Sequence, residues 1–106
     1  MAEPNRTIAL VACVAGKVEY PSAAKDLYTS TWFKKASRFA ASVSNEWYIL
    51  SAEYGLVHPD QVIEPYDKTL KGMSSRERRL WAASVVPQLG KVVHRGDQIL
   101  MLAGAE

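Results

Sequence analysis

Three short apolar runs, far apart along the chain, constrain its fold most: Thr7–Cys13 (TIALVAC), Trp47–Ser51 (WYILS) and Gln98–Ala103 (QILMLA). Each is too short for a buried helix and reads as a strand covered on both faces. The segments between them are long and carry helical patterns, which implies parallel strands joined by right-handed crossovers. The expected fold is an α/β domain of three α/β/α layers. Its sheet is short and mainly parallel, and the three runs take the order 2-1-3.

The first helix should start after Ser30 or Thr31, either of which can cap it. Trp32, Ala36, Phe39, Ala40 and Val43 then recur at helical spacing as a core stripe, with Lys34, Lys35 and Arg38 largely off it. A second helix should start after Ser74 or Ser75, with Glu77 or Arg78 in its first turn. Leu80, Trp81, Val85 and Leu89 give it a core face, and Pro87 bends or ends it. Val14 to Ser30 reads as loop with one helical turn at Ala23–Tyr28. Ala52 to Met73 holds Gly55, Pro59, Pro65 and Gly72, and reads as a long loop ordered by packing. Loops of that length in small domains are usually functional.

A length of 106 residues allows one domain, spanning 1–106, with a real core. The formal charge of +2 is mild: nucleic-acid contact is open only through a local patch. One cysteine excludes an internal disulfide and any metal-spaced cysteine pair. His58 and His94 are far apart and follow no ligand pattern, so neither metal nor cofactor is expected. No apolar run approaches a membrane span, and MAEPNRT has no signal-peptide segment, which suggests a cytoplasmic protein without membrane contact. The final strand is followed only by Gly104-Ala105-Glu106. Either the chain is a C-terminally truncated fragment, or it is a minimal version whose edge a partner completes. A three-stranded sheet with open edges also favours a homodimer.

Ligands of open α/β sheets bind beyond the carboxyl ends of the strands. Two polar loops leave that edge. The first offers Cys13, Lys17, Lys25, Asp26, Tyr28 and Ser30. Cys13 is either a small buried apolar residue or a thiol nucleophile or redox sensor. Gly16-Lys17 lacks the rest of a P-loop. Lys17 is a clamp for phosphate or carboxylate, or a solvated lysine. Asp26 either caps backbone amides or accepts from an amino group of a base or sugar, with Tyr28 stacking or donating its hydroxyl.

The second loop starts with Ser51, Glu53 and Tyr54 and repeats the pairing of carboxylate and aromatic at Glu64-Pro65-Tyr66-Asp67. Glu53 is a water-positioning carboxylate or a structural partner of Lys68 or Arg76. Glu53 and Asp67 converging on one cleft would suit acid–base or glycosyl chemistry. Arg76, Arg78 and Arg79, near Lys68 and Lys71, either follow a phosphate backbone or form an ordinary solvated helix face.

Several blocks together resemble a known group of proteins: Cys13 followed by Lys17, AAKDLYTSTWF (Ala23 to Phe33), ILSAEYGLV (Ile49 to Val57) and IEPYDKTL (Ile63 to Leu70). They resemble small bacterial and phage proteins distantly related to YaaA-type peroxide-stress proteins and to an accessory domain of archaeosine synthase. The resemblance covers roughly Ile8 to Gly104. It implies a fold similar to uracil-DNA glycosylases, and a function in handling nucleobases or nucleic acid. The family blocks fall on Lys17, Asp26, Tyr28, Ser30, Ser51, Glu53, Tyr54, Gly55, Tyr66 and Asp67.

The expected function is recognition of a nucleobase in DNA, modified or not, with glycosylase-like cleavage or exchange of an N-glycosidic bond. Glu53 and Asp67 are the candidate catalytic residues. Lys17, Asp26, Tyr28, Ser30, Ser51, Tyr54 and Tyr66 would bind substrate, and Arg76, Arg78 and Arg79 would hold phosphate. The alternative is a non-catalytic module for nucleic acid or a nucleotide, working in stress response or phage defence. A thiol-based redox protein using Cys13 is the third reading.

Overall fold

A computed structural model of the chain describes residues 6–12 and 17–103. Cys13, Gly16 and Gly104 lie outside the described residues, and with them the expected Cys13 chemistry. The elements run β1 (Thr7–Ala12), β2 (Ser22–Ala23), α1 (Ala24–Leu27), α2 (Thr31–Val43), β3 (Glu46–Ser51), β4 (Gly55–Val57), β5 (Val62–Ile63), α3 (Ser75–Gly90) and β6 (Gln98–Leu102).

The main sheet has four strands in the order β4-β3-β1-β6. β1 lies between β3 and β6 and is parallel to both, with Ala9 opposite Trp47 on one side and Leu100 on the other. The sheet order nevertheless differs from the three-stranded expectation, because β4 adds an antiparallel edge strand beside β3. Gly55 makes this possible: it turns the chain back at φ +76°, a conformation open to glycine at no steric cost. A second small pairing, β2 with β5, joins the two polar loops through Ser22 opposite Ile63 and Ala23 opposite Val62. The expected long loop Ala52–Met73 therefore contains two short strands. Their runs of two or three residues are too brief to show a period.

Alternation along β1 divides the core in two, as expected when successive strand side chains point to opposite faces. Ala9 and Val11 face Leu27, Tyr28, Phe33 and Ala40 of the α1–α2 segment. Ile8 and Leu10 face Leu50 and Val85, with Trp81 and Leu89 of α3 packed alongside. Helices thus cover both faces of the sheet.

Ser30 caps α2 by accepting from the Phe33 amide at 3.1 Å. The buried stripe of α2 is rotated from the expected one. Phe33 is fully buried, whereas Phe39 and Val43 are 51% and 45% exposed. α3 opens with a reciprocal capping box, in which Ser74 accepts from the Glu77 amide and Glu77 accepts from the Ser74 amide. α3 runs through Pro87 to Gly90 rather than ending there. Leu80 is exposed, so the core face of α3 narrows to Trp81, Val85 and Leu89.

At the amino ends of the three parallel strands sits a charged clasp. The Arg6 guanidinium donates to Glu46 at 2.7 Å, to Asp97 at 2.9 Å and to the Val92 carbonyl at 2.9 Å. Asp97 also accepts from the His94 amide at 2.8 Å. That amide bond first, and Arg6 second, hold the Asp97 carboxyl below its ordinary range. Tyr48 donates to Glu46 at 2.7 Å. Its hydroxyl is pushed up to about 12, by burial first and by that hydrogen bond second.

Candidate functional site

At the opposite, carboxyl edge of the sheet, the two polar loops meet around three tyrosines. The chain after β1 is described again from Lys17, which bridges to Tyr28, while the Val18 amide donates to the Leu27 carbonyl at 2.9 Å. This pairing holds the Lys17 side chain over the aromatic rings. Its Nζ lies 4.4 Å from the centroid of Tyr66 and 5.7 Å from that of Tyr28. Ammonium groups at such distances are attracted by the ring quadrupole. The Tyr28 and Tyr66 hydroxyls share a hydrogen bond of 2.6 Å.

The second loop closes on the same point. Ser51, fully buried, accepts from the amides of Glu53 at 3.2 Å and Tyr54 at 3.0 Å, and so shapes the turn after β3. The Tyr54 ring packs edge-on against Tyr66 with centroids 5.6 Å apart, and its hydroxyl donates to the Glu64 carbonyl at 3.2 Å. Glu53 pairs with Lys68 at 3.5 Å. Beside this cluster opens a cavity of about 490 Å³, lined by Lys17, Val18, Glu19, Pro65, Tyr66, Asp67 and Thr69.

Of the residues expected to form a site, the structure brings together Lys17, Tyr28, Tyr54, Tyr66 and Asp67, with Glu53 joined through Lys68. They do not all face the cavity. Tyr28 is only 2% exposed, so it forms the floor under Lys17 and Tyr66 rather than a face open for stacking. Ser51 serves the β3–β4 turn and Ser30 serves the α2 cap. Polar side chains at such places are commonly spent on local amides.

Asp26 stands apart. It lines a different groove of about 600 Å³ with Lys25, Tyr28, Lys34, Ser37, Arg38, Ala41 and Trp47. Arg76, Arg78 and Arg79 are exposed at the start of α3. Arg78 donates to the carbonyls of Leu70 and Lys71, both at 3.1 Å, and so ties the preceding loop to the helix.

Sequence reasoning passed over Glu19 and Thr69, which line the cavity, one from each of the two loops. It gave Trp81 a core role alone and passed over Gln88, and both position the β3–β4 turn from behind. Trp81 Nε1 donates to the Ser51 carbonyl at 2.8 Å, and Gln88 Oε1 accepts from the Leu56 amide at 2.9 Å. A polar residue within an otherwise apolar helix face was the available signal for Gln88. No group of three or more His, Cys, Asp or Glu able to hold a metal occurs among the described residues. Among them, too, no helix is long and apolar enough to cross a membrane.

The chain belongs to the family of unknown function DUF6884, whose profile matches residues 8–106. It is similar to the uncharacterized protein YfjM of Bacillus subtilis (strain 168), with 38% identity over 50 residues. That match covers 46% of this chain and 33% of YfjM, so it spans about a third of the relative's length. No solved structure matches the chain at a significant level.

Proposed function

For this member of DUF6884 we propose recognition of a nucleobase, most naturally one carried in DNA, in the cleft between Lys17 and Asp67. The observation that carries the reading is the Lys17 ammonium held over the Tyr66 ring at the mouth of a cavity of about 490 Å³ that Asp67 also lines. A flat base stacks on an aromatic wall, and Tyr66, which lines the cavity and is braced edge-on by Tyr54, offers one. Lys17 supplies a cation for a base carbonyl or a phosphate, while Glu19 and Asp67 accept from exocyclic amino groups.

The reaction in this reading is hydrolysis of the N-glycosidic bond. Water adds at the anomeric carbon, the base leaves with the bonding electron pair and takes up a proton, and the Asp67 carboxylate stabilises the oxocarbenium-like sugar between them. Glu53, tied to Lys68, keeps the loop in place. The mostly parallel sheet packed between helices is compatible with a uracil-DNA-glycosylase-like arrangement. The resemblance of its sequence blocks to YaaA-type proteins points to the same reading.

A second reading has its own observation. Asp67 and Glu53 are both exposed, whereas carboxylates that act on a sugar are usually shielded from bulk water. On that basis the cleft binds a nucleotide or nucleic acid without turnover.

Incubation with DNAs carrying uracil and other modified bases, scored by mass spectrometry for free base, separates the two. Base release that drops by about 100-fold or more in Asp67→Asn, and by far less in Glu53→Gln, supports the enzyme. No release, with salt-sensitive binding weakened by Lys17→Ala, supports the binding module. Neither release nor binding overturns both.

A further inference from the structure

The outer edge of β6 is unlike the rest of the surface. Among the described residues β6 lies at the end of the sheet, hydrogen-bonded on one side to β1 only. Its five residues, QILML, carry no charge. Neither α2 nor α3 fully covers it. On the α3 side, Ile99 and Met101 sit beside Ile8 and Leu10 in register, yet are 51% and 55% exposed. On the α2 side, Leu100 borders a groove of about 650 Å³ that is also lined by Phe39 and Val43.

Natural sheets blunt such edges with lysines, prolines, bulges or a covering helix. Within Gln98–Leu102, β6 has no lysine or proline.

We propose that this edge is a homodimer interface, in which β6 pairs antiparallel with β6 of a second copy to give one continuous eight-stranded sheet. The strand is complementary to itself when the two-fold axis passes through Leu100. Ile99 then lies opposite Met101 of the second copy and Met101 opposite its Ile99, closing a four-residue apolar cluster on the α3 side. On the other face the two Leu100 side chains meet, flanked by Phe39 and Val43 from each copy. Residues directly opposite in an antiparallel pair share a face, so every exposed apolar side chain of the patch finds an apolar neighbour. No charge within the strand opposes the pairing.

A two-fold contact of this kind closes on itself and does not propagate. The half-exposed side chains offer on the order of 400 Å² per protomer before the strand backbone is counted, against ~800 Å² for a standard interface. The dimer is therefore of the smaller, reversible kind.

Sedimentation equilibrium of the whole chain, from about 1 to 300 µM, tests this. The expected result is a transition to twice the 11.7 kDa chain mass. Met101→Lys and, separately, Ile99→Lys should each weaken association by about 100-fold with an unchanged circular dichroism spectrum. Both residues are already half exposed, so the protomer fold tolerates the change. Val86→Lys, the same kind of change on the exposed face of α3, should leave association within about 3-fold. Wild-type chain that stays monomeric throughout, or grows into open assemblies, overturns the proposal. So does a dimer broken by Val86→Lys and indifferent to changes in β6.

Discussion

The two ends of the sheet use charge in opposite ways. At the amino end, Arg6 satisfies Glu46, Asp97 and a backbone carbonyl at once, and Asp97 has only 6% of its side chain exposed. Those charges face one another. At the carboxyl end, Lys17 lies over aromatic rings and Asp67 faces a cavity, while Glu53 and Lys68 make one longer contact in water. Such an exposed pair adds little to stability. In α/β domains built this way, one edge holds the sheet together and the other is available for chemistry. On the proposed reading, charge at the carboxyl end answers to a ligand rather than to the fold.

The largest effect should come from within the carboxyl end and sharpen the contrast. Tyr28 is buried between Phe33 and Tyr66, with ring centroids at 5.0 and 6.4 Å. Tyr28→Ala should cost ~3–5 kcal/mol in urea unfolding, and Tyr66→Ala, at a half-buried ring, only ~1–2 kcal/mol. Equal losses would mean that the site has no distinct floor and wall.

Next come the two aspartates. Asp97→Ala should lower the thermal midpoint clearly, because it strands Arg6 and the His94 amide. Asp67→Ala should move stability by no more than ~0.5 kcal/mol. Similar midpoints for the two variants would break the comparison outright. A third, smaller loss of ~1 kcal/mol is expected for Ser74→Ala, which opens the capping box of α3 without touching either end.

The smallest effect is the pH profile of the amino end. Asp97 titrates below its ordinary range, so its contribution is full above the unfolded value of ~3.9 and is lost as pH falls below it. Tyr48 titrates at about 12, so its contribution is full below ~10 and is lost as pH rises past that. Urea midpoints should be flat in between, and Tyr48→Phe should soften only the alkaline fall.

Much of this was legible in the sequence, and the exceptions have physical causes. The three apolar runs and both long helices could be placed because their periods are long enough to read and their caps, Ser30 and Ser74, are chemically explicit. β4 was not legible, since Gly55-Leu56-Val57 is too short for alternation and depends on a helix packing behind it. The stripe of α2 was misread for another reason. Phe33 and Phe39 each stand three residues from Ala36, and only the position of the sheet decides which one is buried.

The site shows the same limit. Residue types drew attention to the two loops that meet at the carboxyl edge, yet an aromatic or a serine reads alike whether it meets a ligand or the protein's own backbone. Tyr28, Ser30 and Ser51 turned inward.

The clasp between Arg6 and Asp97 joins residues 91 positions apart. The strand at the centre of the sheet is made first and its second neighbour last. During synthesis at ~5–20 residues per second, β1 can meet β3 early but then waits for several seconds with its other side unpaired. Folding of the whole sheet must await the closing strand, and non-local pairing of this kind is slow. The nascent chain is thus most vulnerable to wrong partners until β6 is made, with β1, β3 and β4 already in place.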